Sequence, residues 1–262
     1  SLIIINGVAT QLYTSPTSTT QLSVIDNVGS GAAVPFSLPS PTLLAQPLPY
    51  VWGGALNGVW FHFACGDPSN PGILHWTHGN DPDASSDRNT LVVSSASEPL
   101  LNGWIDDGIA YVFSTQQLYR ILPTFGNPLT PFQVDPTQCS KGLWTPWAFA
   151  PDPDGGAFFL TQEGIHHTAG GSDAINIMGD LRPLFPQDGA DPQAIRSMNP
   201  VDFTQSTRLR LAIVGRYLYF DYVDITDQGC TLVYDRTLKG WTSYDRYLET
   251  GDPLVPIGVT VR

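Results

Sequence analysis

The sequence predicts an all-β chain folded as a β-propeller, and three observations carry that prediction. An apolar, alternating strand runs into a tight turn and a second strand four times: VWFHFAC (59–65) with ILHWT (73–77), IAYVFS (109–114) with LYRIL (118–122), AFFLT (157–161) with IHHT (165–168), and YLYFDYV (217–223) with CTLVYD (230–235). These hairpins begin at 59, 109, 157 and 217, intervals of 50, 48 and 60 residues. A hairpin returning at such spacing marks a radial repeat, because one small sheet cannot bury its own apolar faces and must stack on its neighbours. Each hairpin also follows a further short apolar strand: PYVWGGAL (49–56), LLNGWI (100–105), WAFA (147–150) and RLRLAIV (208–214).

The two ends fit the same repeat. The chain begins with LIIIN (2–6), a turn and QLY (11–13), and finishes with PIGVTVR (256–262). If both ends share one blade, the interval across the join is 47 and that from Leu2 to Val59 is 57, so five similar intervals account for all 262 residues. Closure by strands from both termini removes the exposed sheet edges that invite aggregation. We therefore expect a single domain over 1–262 with five blades; the alternative is six, with PFSLPSPTLL (35–44) as a separate sheet. Segments 14–47 and 169–207, rich in Pro, Ser and Gly, read as long loops, and the best helix candidate is the short DPQAIRSM (191–198).

Composition agrees with many short strands joined by turns: 25 Gly, 23 Pro and 11% aromatic residues with only 14% charged. No apolar run reaches membrane-spanning length and no signal peptide is visible. The chain starts at Ser1 without Met, which points to a processed product or a fragment of a longer chain. The net charge of −12 argues against direct binding of a nucleic-acid backbone, since phosphate binding needs a basic footprint and Arg208 with Arg210 is the nearest approach to one; neither sequence-specific nucleic acid nor a membrane is expected as a partner. An acidic surface suits the lining of a channel through which DNA slides without sticking. Cys65, Cys139 and Cys230 lack both metal-ligand spacing and an even count, and are expected as buried thiols.

Candidate chemistry is sparse. A glycosidase needs two carboxylates flanking a bond at roughly 5 to 9 Å, and the chain has three Glu: Glu98, Glu163 and Glu249. Glu163 falls in the turn of TQEGI, and Asp106 and Asp107 begin the turn before IAYVF, so ordinary turn chemistry accounts for them. His166 and His167 are adjacent in a strand and face opposite ways, and His75 and His78 span a strand end. Asp152, Asp154 and Gly155, like Asp81, Asp83 and Asp87, alternate as calcium ligands do, without the complete loop pattern. No metal, cofactor or catalytic residue is assigned. Among seven tryptophans, Trp52, Trp104 and Trp147 occupy corresponding first strands and are the candidates for an aromatic platform that stacks on sugars. Inter-blade packing is the ordinary role for such rings and is the one expected here.

Two stretches go beyond generic propeller grammar. In 72–122 an Asp-Pro loop precedes an apolar strand and a hairpin carrying Tyr111, Val112, Phe113, Ser114 and Thr115, then Leu118 and Tyr119. In 138–185 a Cys-x-x-Gly segment precedes a strand, a Phe-Leu-x-x-x-Gly-Ile hairpin, a Gly-Gly turn and an exit ending in Leu184 and Phe185; TLVYDRTLKGWTSYD (231–245) closes the pattern. In this order the motifs resemble the tail nozzle or tail-stabilisation propeller proteins of short-tailed bacteriophages, over roughly 72–250. The resemblance implies a virion structural component, non-enzymatic, assembling with tail and portal-like proteins as a homo-oligomeric ring around the DNA exit channel. Outside a virion, an extracellular location is expected. The alternative functions are a carbohydrate-binding propeller lectin and a five-bladed glycoside hydrolase.

Overall fold

A computed structural model describes residues 48–78, 81–124, 131–171, 173–186, 191–195 and 197–247, together with four short strands near the N-terminus. The chain divides into two units, Ser1–Pro47 with Ser85–Asn89, and Leu48–Ala84 with Thr90–Arg262. In the first, β1 (Leu2–Ile5) pairs antiparallel with β2 (Val8–Gln11), and β3 (Leu22–Val24) with β4 (Val34–Phe36). The return strand expected at 11–13 thus sits earlier, as the Asn-Gly dipeptide between the two runs favours, being the strongest short hairpin signal. Strand 256–262, expected to share a blade with this hairpin, lies outside the described residues.

The second unit holds four antiparallel sheets of four strands, each strand hydrogen-bonded to the next in sequence. They are β5 (Tyr50–Leu56), β6 (Val59–Cys65), β7 (Ile73–His78) and β8 (Asp81–Val92); β9 (Leu100–Asp106), β10 (Ile109–Ser114), β11 (Leu118–Pro123) and β12 (Phe132–Pro136); β13 (Phe149–Pro151), β14 (Ala157–Thr161), β15 (Gly164–Thr168) and β16 (Ile175–Asn176); and β17 (Arg210–Val214), β18 (Tyr217–Val223), β19 (Gly229–Asp235) and β20 (Gly240–Tyr247). Turn chemistry fixes the first hairpin of the first two sheets: Asn57-Gly58 and Asp107-Gly108 hold φ of 50° and 78°, and 46° and 72°. Two successive positive φ values make the turn whose twist matches antiparallel strands, and Asn-Gly and Asp-Gly are the pairs that adopt it most readily.

The cores lie between successive sheets, which is how each sheet hides the apolar face that its alternation creates. Leu56, Phe63, Cys65 and Trp76 meet Leu100, Ala110, Val112 and Ile121 between the first and second. Trp104, Phe113 and Leu118 meet Ala157 and Phe159 between the second and third. Phe158, Leu160 and Ile165 meet Leu211, Leu218, Phe220 and Leu232 between the third and fourth. Strand β14 is buried along its whole length because it has a sheet on either side. Each fully buried Leu, Ile or Phe contributes about 1.5–3 kcal/mol. Four meander sheets stacked in chain order make a propeller-like arrangement.

Three expectations are corrected. The stretch NDPDASSD, read as a loop, contributes to the twelve-residue strand β8. The described residues of DPQAIRSM form no helix: Ile195 and Met198 exchange backbone hydrogen bonds at 2.9 Å in each direction, closing an antiparallel bridge instead. The helical residues described are two 3-10 turns, Gly179–Leu184 and Phe203–Arg208, and no described helix is long and apolar enough to cross a membrane. Segment 169–207 is also no free loop, since Met178, Leu181, Leu184, Phe185, Met198 and Val201 all belong to the core of the third and fourth sheets. Within it, Val201 N–H donates to Leu184 C=O at 3.1 Å.

Candidate functional site

Residues at or near the start of the first strands of three sheets converge on the segment just before β13. Trp52 is half-buried in β5, stacked on Phe63 at 6.0 Å and 24°. Its ring passes over Gly103 of β9, where an added Cβ would come within 2.5 Å of Cζ2, so that position accepts no side chain. Trp104 is sealed at 4% exposure, stacked on Tyr111 at 4.6 Å and on Phe113 at 5.5 Å. Trp147 differs from both: it precedes β13 and stays 46% exposed. The three rings are therefore not equivalent, and the packing expected of all of them is found at Trp52 and Trp104 but not at Trp147.

Trp147 is held by three sheets. Tyr50, the first residue of β5, meets it edge-on at 6.0 Å and 77°. Arg210, the first residue of β17, places its guanidinium carbon 5.7 Å from the indole centre. The Trp147 carbonyl accepts from Leu211 N–H at 3.2 Å, and the preceding Pro146 carbonyl accepts from Asn102 Nδ2 of β9 at 2.9 Å. Beneath the cluster, Cys65 lies opposite Tyr50 in register and Asp221 opposite Arg210. Burial pushes the Cys65 thiol up to about 12 and raises the Tyr50 hydroxyl, with Cys65 adding to the latter. Burial also raises Asp221, while the Thr231 hydroxyl and the Arg210 charge pull it back. A half-exposed indole between a phenol and a guanidinium can bind a partner through stacking, hydrogen bonding and charge. Sequence reading identified Trp147 but missed Tyr50, Asn102 and Arg210, although each lies at or near the start of a first strand.

The other sequence candidates are drawn into structural contacts. Glu98 accepts from Ser114 Oγ and from Tyr119 OH at 3.1 Å. Glu163 accepts from Lys141 Nζ at 2.8 Å, which holds its carboxyl below the usual range. Asp106 accepts from Gly156 N–H at 2.7 Å. Asp152 and Asp154 bind Arg236, and Asp152 also meets His167 Nε2 at 3.2 Å, so a guanidinium occupies the oxygens read as calcium-like. His166 is buried with Nδ1 3.2 Å from the Gly164 carbonyl. Among the described residues no three His, Cys, Asp or Glu side chains are grouped to hold a metal ion. Glu249 and the side chains of His78, Asp81, Asp83 and Asp87 lie outside the described residues.

No protein-family model matches the chain, and no curated protein does. Among solved structures it is similar to apo AztD from Citrobacter koseri, with a TM-score of 0.39 and 13% identity over 91% of this chain and 56% of that one. A puromycin hydrolase matches at 0.42 and 16% identity over 77% of this chain and 30% of the other. A Mycobacterium tuberculosis puromycin-hydrolyzing peptidase matches at 0.41 and 13% identity over 92% and 37%. The chain thus spans little more than half, or less, of the length of these structures. At such scores and identities the likeness carries no argument about activity.

Proposed function

We propose that this chain is a non-catalytic, protein-binding module: a virion structural component of a short-tailed phage tail, assembling with tail and portal-like proteins as a homo-oligomeric ring. The observation that supports it best is Trp147, left 46% exposed between Tyr50 and Arg210 where the first strands begin. Trp, Tyr and Arg are the residues that most often anchor protein interfaces. The tail assignment itself rests on the sequence resemblance over 72–250. Within this reading the molecule is a five-bladed propeller, closed by strand 256–262 beside the hairpin of β1 and β2.

A carbohydrate-binding role is the second reading, favoured by the same exposed indole. A lectin with one site per blade would leave Trp52, Trp104 and Trp147 alike, whereas Trp104 is sealed. Electron microscopy of the particle that carries this chain separates the two. A ring at the tail is expected for the wild type and is lost in Trp147→Ala, whose melting temperature stays unchanged. Trp104→Ala, in contrast, leaves a cavity and loses on the order of 3–5 kcal/mol of stability. A variant Trp147→Ala that still forms the ring rejects the anchor. Wild-type particles without a ring, with glycan-array binding that Trp147→Ala abolishes, would establish the lectin.

A further inference from the structure

We propose that the Tyr50–Trp147–Arg210 cluster docks an acidic segment of a protein partner, an Asp or Glu carboxylate taking the Arg210 guanidinium while an adjoining apolar side chain packs on the open part of Trp147. This rests on the protein-binding reading and adds the chemistry of the partner.

Charge pairing sets Arg210 apart from most described bases, and unlike the exposed Lys239, which also lacks a salt bridge among the described residues, it is half-buried. Arg120 binds Asp135, Lys141 binds Glu163, Arg208 meets Asp227 at 3.1 Å, Arg216 meets Asp235 at 3.0 Å, and Arg236 binds Asp152 and Asp154. Arg210 forms no such salt bridge among the described residues, although the chain has 24 acidic side chains against 12 basic ones. Its Nε is buried with no hydrogen-bond partner there. Asp221 lies opposite in register and feels the Arg210 charge, but its Oδ1 accepts from Thr231 Oγ1 and no salt bridge joins it to the guanidinium. A half-buried guanidinium with no carboxylate in ion-pair contact is an incomplete electrostatic arrangement. Stacking on an indole keeps its charge, and with Nε buried the terminal Nη groups are the ones placed for a planar, bidentate acceptor.

The indole geometry favours a peptide over an acidic sugar. A sugar ring stacks on an open aromatic face, and here the guanidinium already stands over a face of Trp147 while Tyr50 approaches edge-on. What remains suits the narrower side chain of an extended segment.

The test uses the whole chain and three probes: a fluorescein-labelled pentapeptide Leu-Glu-Phe-Glu-Leu, its counterpart with Gln for both Glu, and trigalacturonate. The acidic peptide is expected to bind at least about tenfold more tightly than the amide version, the scale of one charge-assisted pair. In Arg210→Met, which keeps the aliphatic stem, that difference disappears. If this variant melts early, a salt titration of the wild type replaces it, because the discrimination should shrink as ionic strength rises. Equal binding of the two peptides, discrimination that survives both Arg210→Met and high salt, preferred binding of trigalacturonate, or no binding at about 1 mM each overturn the inference. Loss of the ring in Trp147→Ala with intact assembly in Arg210→Met would overturn it too, while leaving the protein-binding reading in place.

Discussion

At the scale of single residues, environment rather than identity separates roles that look alike in the sequence. His166 and His167 are neighbours in β15, yet His166 is buried with Nδ1 near Thr161 Oγ1 at 3.3 Å, and His167 reaches across to Asp152. Burial lowers the His166 pKa below its ordinary 6.5. The folded chain therefore keeps a neutral imidazole where the unfolded chain takes up a proton, so stability falls as pH drops through 6.5 towards the lower folded value. His75, also lowered by burial, acts in the same direction. We expect denaturation midpoints to decline between about pH 7 and pH 5, with a shallower slope in His166→Gln. An unaltered slope in that variant would exclude His166 as a source. The sequence shows that the two histidines face opposite ways, since alternation dictates it. Which of them is sealed depends on the neighbouring sheet, and no local pattern carries that.

Strands and turns were the most legible level. β6, β10, β14 and β18 begin and end where the apolar alternation does, because period-2 patterning and Gly-bearing turns are local signals. Fourth strands escaped notice where they were short or polar: Ile175–Asn176 has two residues, and β8 opens with Asp-Pro-Asp. Segment 169–207 misled for a related reason, as its core residues Met178, Leu184 and Phe185 are spaced irregularly among Pro and Gly. The alternating Asp152 and Asp154 read as turn residues with a calcium-like spacing, and the cation that meets them, Arg236, goes unforeseen because it lies 84 residues from Asp152. Arg236 and Asp152 side chains are each 9% exposed, whereas Asp154 is 83% exposed. Removing one partner of a buried pair costs on the order of 3–5 kcal/mol, but an exposed pair contributes about 0–1. Arg236→Ala should therefore destabilise the joint between the third and fourth sheets strongly and Asp154→Ala barely, read by urea unfolding. Equal losses would mean that the turn, not the buried pair, holds the joint.

For the whole molecule, four stacked sheets raise the question of how the outer faces of the first and last are covered. The outward side of the first carries Val51 and Trp60, at 58% and 48% exposure, and the second face of the fourth carries Arg210 and Asp221. Repeat arithmetic suggests an answer, since the interval across the termini, 47, is similar to the 48 to 60 between the hairpins if strand 256–262 joins the sheet of β1 and β2. Such a joint would tie the first residues to the last, as a closed ring requires and an open stack does not. Spin labels on Ile4→Cys and Val259→Cys test it, with Cys65, Cys139 and Cys230 all buried and so protected from the reagent. Neighbouring strands lie about 4.8 Å apart, so with the label arms the distance distribution should centre below about 20 Å. A distribution beyond about 30 Å, several strands away, would place the termini in different sheets, and the five-bladed closure would fall with it.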